Sequence, residues 1–91
     1  MPPPSPNSQP RFAVGCRWGS HGGQPVVLFP EGMIRVQGTG QSILELCDGH
    51  RTIEDIVTVL SAKYENAEPQ AIGVDVAKFL EALQQKRIVD Y

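Results

Sequence analysis

The feature that most constrains the fold is a change in hydrophobic periodicity close to residue 39. Before this point the apolar residues lie in short β-branched runs or at alternating positions, and after it they recur every three or four residues. Alternation at every second residue is typical of a strand, whereas a spacing of three to four is typical of a helix. The sequence therefore predicts an α+β protein in which a small sheet precedes a set of helices.

Three segments of the first half predict strands. They are FAVGCRW (12–18), PVVLF (25–29) and MIRVQ (33–37), with a turn-forming SHGGQ (20–24) after the first and a break at 30–32 after the second. Strands joined by such short glycine- and proline-containing loops pair as antiparallel hairpins, so we predict a three-stranded meander whose outer strands are edges. In the third strand, Ile34 and Val36 point to one face and the alternate residues to the other.

The second half predicts three helices. They start at Thr39 or Gly40 and run to Cys47, then span about 53–64 and about 70–86. Thr52 and Asp55 have the spacing of a capping box, and Pro69 suits the first turn of the third helix. The helices carry apolar stripes, made of Ile53, Ile56, Val57, Leu60 and Tyr64 on the second helix and of Ile72, Val76, Phe79, Leu80 and Leu83 on the third.

The first ten residues, MPPPSPNSQP, differ in composition from the rest. They hold five of the eight prolines and no charged side chain, so we predict a flexible tail over 1–10 and a folded domain over 11–91. The tail lacks the basic start and apolar stretch of an export signal, and no run is long enough to span a bilayer. We therefore expect a cytoplasmic protein whose two cysteines are reduced thiols, with no membrane partner.

Residues 43–57, ILELCDGHRTIEDIV, have the rhythm of two helices joined by a tight turn, as in helix-turn-helix DNA-binding proteins. A nucleic-acid binder normally carries a basic face, yet this chain has a net charge of −2 and a pI of about 5.5. The second helix begins Ile-Glu-Asp, and the third offers a single lysine, Lys78, before Lys86. A DNA-binding winged-helix regulator is therefore the less favoured alternative, and we expect no nucleic-acid partner.

The sequence shows no pattern that predicts catalysis or a metal site. Cys16, His21, Cys47 and His50 do not match the ligand spacings of structural zinc sites, and we expect Cys47 to pack in the core. The GTG at 38–40 lacks the full glycine-rich fingerprint of a phosphate loop and is better explained as a turn. What remains is binding, because an edge strand beside an amphipathic helix forms a groove that suits an extended peptide added as a strand.

Three motifs in this order resemble those of the PqqD family. They are V-V-L-F-P-E-G (26–32), I-L-E-L-C-D-G-x-R-T-I-x-x-I (43–56) and D-V-x-x-F-L-x-x-L-x-x-K-R-I-V (75–89). Together the likeness covers residues 11–91. The resemblance implies a winged-helix-like fold, in which a three-stranded antiparallel sheet is followed by a three-helix bundle.

The resemblance also implies a function in pyrroloquinoline quinone (PQQ) biosynthesis. Members of the family are not enzymes and need no cofactor; they act as peptide chaperones, which bind the ribosomal precursor peptide PqqA and present it to the radical SAM enzyme PqqE. Related domains recognise the leader peptides of other ribosomal-peptide modification pathways, so such a pathway stays open as the alternative. The exposed edge strand is compatible with a monomer or with a homodimer formed by edge pairing or strand exchange.

The resemblance implies that the peptide binds along the third strand and the third helix. On this chain the candidate peptide-binding residues are Met33, Ile34, Arg35, Val36 and Gln37 on the strand, and Asp75, Lys78, Phe79, Ala82 and Lys86 on one flank of the helix. We expect Phe79 and Ala82 to form an apolar floor and Lys78 and Lys86 to attract an acidic peptide. The alternatives are core packing for Phe79 and simple solvation for the two lysines and Arg35.

Two positions depart from the family pattern. The first hairpin is the short, glycine-rich SHGGQ, whereas family members often have a longer, charged hairpin there. Gly32 follows the Pro-Glu pair, where members often carry arginine. A contact between the hairpin and the modifying enzyme would therefore be made differently in this protein.

Overall fold

The structure is a computed structural model that describes residues 4–64 and 68–91. In chain order its elements are β1 (Arg11–Phe12), β2 (Arg17–His21), β3 (Gln24–Phe29), β4 (Gly32–Arg35), α1 (Thr39–Glu45), α2 (Ile53–Lys63), α3 (Pro69–Gln85) and β5 (Val89–Asp90). The strands β2, β3 and β4 form a three-stranded antiparallel sheet that precedes the three helices. The predicted α+β class and the order of sheet and helices are confirmed.

The meander depends on tight turns. Gly22 and Gly23 connect β2 to β3 with φ angles of 60° and 77°, which a two-residue hairpin turn of the primed type requires and which glycine adopts at little cost. In β4 the alternation is as predicted, because Ile34 is half-buried while Met33 and Arg35 are exposed. Val36, just beyond the strand, is buried on the same side as Ile34.

The predicted first strand, 12–18, is wrong in position. The chain turns at 13–16, where the Cys16 N–H donates to the Ala13 carbonyl and Gly15 has a φ of 88°, so the strand of the meander begins only at Arg17. Phe12 lies before this turn in β1, which pairs with β5 through the pairs Arg11–Asp90 and Phe12–Val89. The two ends of the described domain thus form a second, two-stranded sheet.

The helices follow the predicted stripes closely. The capping box of α2 is present, with the Asp55 N–H donating to Thr52 Oγ1 over 3.1 Å and the Thr52 N–H donating to Asp55 Oδ2 over 3.0 Å. Pro69 is the first residue of α3, and α1 ends at Glu45, two residues earlier than predicted.

The core lies between the helices and one face of the sheet. Its buried residues from the sheet and the segment after it are Val27 and Val36, and those from the helices and the C-terminal strand are Ile43, Leu44, Cys47, Ile53, Ile56, Leu60, Ile72, Val76, Leu80, Leu83, Ile88 and Val89. Trp18 and Phe12 both pack against this cluster. Their two rings meet edge to face, with centroids 5.8 Å apart. Val26 precedes Val27 on β3 and is also fully buried, so at that position the opposite face of the sheet is covered as well.

The N-terminal segment, defined as residues 4–10, lies against the start of α2. The carbonyls of Pro6, Ser8 and Pro10 accept hydrogen bonds from the N–H groups of Glu54, Ile53 and Gly49, over 3.2, 2.9 and 2.9 Å respectively. The side chain of Pro10 is fully buried. The division into a flexible tail over 1–10 and a domain over 11–91 stays a prediction, and Met1–Pro3 fall outside the described residues.

Candidate functional site

The outer side of β4 is the first component of the candidate site. Within the described part of the chain β4 pairs only with β3, through Leu28–Met33, Val27–Ile34 and Val26–Arg35. The loop Pro30–Glu31 closes on the pair Phe29–Gly32, which exchanges both backbone hydrogen bonds. Because bonded and non-bonded pairs alternate in an antiparallel ladder, the backbone N–H and C=O groups of Met33 and Arg35 point outward.

The side chains of this strand divide between two faces. Met33, Arg35 and Gln37 are exposed, whereas Ile34 is half-buried and Val36 is buried in the core. Val36 therefore offers its backbone at most, because its side chain is already occupied by packing. Strand β4 itself ends at Arg35, so Gln37 belongs to the segment that leads into α1.

The α3 candidates form a mainly exposed flank. Asp75, Lys78 and Ala82 are exposed on α3, and Lys86 is exposed immediately after the helix end. Phe79 is half-buried and packs against the core cluster. A Cβ atom added to Gly40 would lie 3.1 Å from Phe79 Cε1, so the ring sits directly on the backbone at the start of α1. Phe79 thus packs between α1 and α3 and presents only part of its ring.

A concave site lies where α1 starts, α2 ends and α3 begins. This helix-end pocket has a volume of about 200 Å³ and is lined by Thr39, Leu60, Tyr64, Ile72, Asp75 and Val76. Its floor is apolar, whereas Thr39, Tyr64 and Asp75 bring oxygen atoms to its wall. Thr39 follows Arg35 by only four residues, so the chain leads from the end of β4 to the pocket within a short segment.

One side of the helix-end pocket is held by a polar cluster around Ser42. The hydroxyl of Ser42 lies 3.1 Å from the Tyr64 hydroxyl, accepts from Lys63 Nζ over 3.1 Å and faces the Gly38 carbonyl at 3.4 Å. Lys63 Nζ also lies 5.7 Å from the centroid of the Tyr64 ring. A hydroxyl can donate one hydrogen bond and accept two, so this arrangement satisfies Ser42 and fixes the phenol of Tyr64.

Sequence reasoning included Asp75 but missed Thr39 and Tyr64. Tyr64 was predicted on the buried stripe of α2, and Thr39 only as a possible helix start. Both lie at element ends, and polar residues at the ends of two helices that meet are the signal that would have pointed to a pocket. Their meeting depends on tertiary packing, which spacing along the chain does not encode.

A larger apolar groove lies elsewhere on the molecule. It has a volume of about 730 Å³ and is lined by Pro4, Pro6, Ile53, Glu54, Val57, Gln70, Gly73, Val74 and Ala77. With 3.6 residues per turn, Val74 and Ala77 lie on the opposite side of α3 from Asp75 and Phe79. This α2–α3 groove is therefore separate from the β4 edge and contains none of the predicted site residues.

The two thiols of the described residues lie in environments that favour their protonated form. Burial, and secondarily the charge of Asp48, raises the pKa of Cys47 to about 12, and its thiol donates to the Ile43 carbonyl. Burial, with Asp90 nearby, also raises the pKa of Cys16. Among residues 4–64 and 68–91, no group of three or more acidic, histidine or cysteine side chains is placed to hold a metal ion. Over the same ranges, no helix has the length and apolar character needed to cross a membrane.

Comparison with known proteins gives the same result from sequence and from structure. The family model described as coenzyme PQQ synthesis protein D (PqqD) matches residues 25–89. A "PqqA binding protein" of Kluyvera intermedia is 40% identical over 85 residues, which is 90% of either chain. The "PqqA binding protein" of Klebsiella pneumoniae strain 342 is 40% identical over 81 residues, which is 86% of this chain and 84% of that one.

A solved structure has the same fold. It is the solution NMR structure of the PqqD truncation of Methylobacterium extorquens PqqCD, described as a functional and stand-alone recognition element for ribosomally synthesized and post-translationally modified peptides. It superposes with a TM-score of 0.74 at 30% identity and covers 90% of this chain and 88% of its own. At this coverage, the likeness extends over most of both chains.

Proposed function

We propose that this protein, which belongs to the PqqD family, binds the precursor peptide PqqA by adding it as a strand along β4. The observation that carries the proposal is the outer edge of β4, which pairs with no other described strand and where the backbone groups of Met33 and Arg35 point outward. An edge strand of this kind is a template for pairing with another extended chain. Relatives of this protein are named PqqA binding protein, which supports PqqA as the extended peptide that pairs with β4.

The side chains around the β4 edge supply the specificity that backbone hydrogen bonds lack. Backbone hydrogen bonds give affinity that is largely independent of sequence, so specificity comes from the walls of the groove. Arg35, Lys78 and Lys86 are exposed cations on the strand and on the flank of α3, and they favour an acidic peptide. Ile34 and Phe79 are half-buried and each leaves part of an apolar side chain exposed.

The role that follows is presentation of the peptide, not chemistry on it. We assign PqqE, the radical SAM enzyme, as the second partner, and we assign this chain no catalytic residue. The thiols of Cys16 and Cys47 have raised pKa values, which disfavours the nucleophilic thiolate form. We place the protein in the cytoplasm, with the free β4 edge of a monomer as the binding form.

An amide NMR titration of isotope-labelled protein with a synthetic PqqA-type peptide tests the proposal. We expect saturable shifts clustered at 33–37 and 75–86, and none with duplex DNA. A flat titration would contradict PqqA as the ligand and would point to another leader peptide. Shifts with DNA alone would favour the helix-turn-helix alternative instead.

A pair of substitutions at one residue separates strand addition from charge attraction. Arg35→Pro removes an outward N–H that β3 does not use, and proline is tolerated at such edge positions. Arg35→Ala removes the same charge but keeps the N–H. We expect Arg35→Pro to weaken peptide binding by about tenfold, because it loses a hydrogen bond and blocks close approach of the peptide. Equal affinities of the two variants would contradict binding by strand addition.

A further inference from the structure

We infer that the helix-end pocket, defined above by Thr39, Leu60, Tyr64, Ile72, Asp75 and Val76, is the subsite that receives one apolar side chain of the bound peptide. This inference rests on the proposed function, since it assigns an occupant that arrives with a strand along β4. It adds a determinant of specificity to a site whose backbone contacts have little sequence preference.

The position of the pocket favours a side chain of the same peptide over a separate ligand. Thr39 follows the end of β4 by four residues, and Asp75 lines the pocket from the helix that carries the other candidate contacts. The start of α1 also lies against Phe79 on that flank, where a Cβ atom added to Gly40 would be 3.1 Å from the ring. A strand rises about 3.3 Å per residue, so we expect a peptide that continues past Arg35 by a few residues to reach the pocket. Alternate side chains of an added strand point toward the groove wall, where such pockets provide selectivity.

The size and lining define the class of side chain. A volume of about 200 Å³ is enough for one leucine, isoleucine or phenylalanine side chain, but too small for a folded segment. Leu60, Ile72 and Val76 make the floor apolar, so an apolar occupant gains by leaving water. The exposed carboxylate of Asp75 lies at the wall and has no ion-pair partner among the described residues, so it opposes an acidic side chain.

The pocket is also held in shape without a ligand. The Tyr64 hydroxyl lies 3.1 Å from Ser42 Oγ, and Lys63 Nζ bonds the same oxygen, so the end of α2 is tied to α1. A wall fixed in this way loses little conformational entropy when the peptide binds. Ser42 is thus a positioning residue that acts through Tyr64.

The first test fills the pocket from the protein side. Thr39 is exposed, so Thr39→Phe places an aromatic ring at the pocket without disturbing the core, and Thr58→Phe makes the same change at an exposed position of α2 outside the pocket. By calorimetry with a synthetic PqqA peptide, we expect Thr39→Phe to weaken binding by about tenfold or more, and Thr58→Phe by less than about twofold. The amide spectra of both variants verify that each is folded.

The second test substitutes residues of the peptide instead of residues of the protein. In an alanine scan of PqqA, we expect one apolar residue whose replacement weakens binding to the wild-type protein by about tenfold. The same peptide substitution is expected to weaken binding to the Thr39→Phe variant much less, because the pocket is already filled. Glutamate at that peptide position is expected to bind more weakly than alanine, and Asp75→Asn is expected to reduce this difference. Unchanged affinity of Thr39→Phe for a peptide that binds the wild type would overturn the pocket but leave the proposed function standing. Absence of binding to the wild type would overturn both.

Discussion

At the scale of single residues, Asp48 organises the turn between α1 and α2. Its Oδ1 accepts from the His50 N–H over 2.9 Å and from the Arg51 N–H over 3.2 Å, and its Oδ2 pairs with the Arg51 guanidinium. The hydrogen bond from the His50 backbone, with the charge of Arg51, lowers the pKa of Asp48 below its usual value against a smaller effect of burial. The charged form is thus the one that the folded turn favours.

This pKa shift gives a pH-dependent prediction for stability. Because the folded-state pKa lies below the unfolded one, the stabilisation is present above the ordinary aspartate pKa and is lost as pH falls through the folded value. We expect Asp48→Ala to lower the melting temperature at neutral pH. The difference in melting temperature from the wild type should disappear at a pH below the folded-state pKa of Asp48. Asp75→Ala, which removes a carboxylate without such backbone bonds, is the control. A gap that stays constant with pH would contradict the role of the charge.

Arg87 is the residue that ends α3, and it does so in a conformation that arginine disfavours. Its φ is 61°, in the left-handed region, while the Ile88 N–H bonds the Leu83 carbonyl and the Arg87 N–H bonds the Gln84 carbonyl, as in a Schellman motif. Glycine takes this position in most such motifs. We expect Arg87→Gly to raise the free energy of unfolding by roughly 1 kcal/mol, measured by denaturant titration. Lys86→Gly, at a residue with a φ of −88°, is expected to lower it instead.

At the scale of elements, the sequence predicted whatever depends on local pattern. The stripes of α2 and α3 and the hairpin of β3 and β4 followed from spacing and turn residues that lie close together in the chain. Strands β1 and β5 escaped prediction because each has only two residues, and Phe12 meets Val89 at the other end of the chain. Two-residue strands have no periodicity, so only the tertiary pairing reveals them.

The contacts of the N-terminal segment also depend on tertiary structure and could not be predicted from its composition. Its composition indicates little to bury, but its carbonyls cap α2: Ser8 accepts from the Ile53 N–H and Pro6 from the Glu54 N–H, which α2 itself leaves without partners. We expect deletion of residues 1–9 to lower the free energy of unfolding by about 1–3 kcal/mol, because two capping hydrogen bonds are lost. Deletion of residues 1–3, which keeps the Pro6 and Ser8 carbonyls, is the matched comparison. Equal stability of the two truncated chains would show that the capping is dispensable.

At the scale of the whole molecule, α3 separates two concave surfaces. The helix-end pocket lies on the side of Asp75, whereas the α2–α3 groove lies on the side of Val74 and Ala77. The sequence foresaw the edge, because alternation and strand order are local. It did not foresee the pocket, because Thr39, Tyr64 and Asp75 come together only when three helices pack. A peptide side chain in the helix-end pocket would therefore leave the α2–α3 groove unoccupied.

The alternation of backbone groups along β4 gives the strictest test of how the peptide binds. The N–H groups of Met33 and Arg35 point outward, whereas that of Ile34 already bonds to Val27 across the β3–β4 pair. If PqqA adds as a strand, hydrogen exchange of the Met33 and Arg35 amides slows strongly on binding, and exchange of the Ile34 amide slows much less. Equal slowing at all three positions would indicate general stabilisation by a ligand bound elsewhere. In Arg35→Pro the slowing at Met33 should also diminish, because neighbouring hydrogen bonds of an added strand form together.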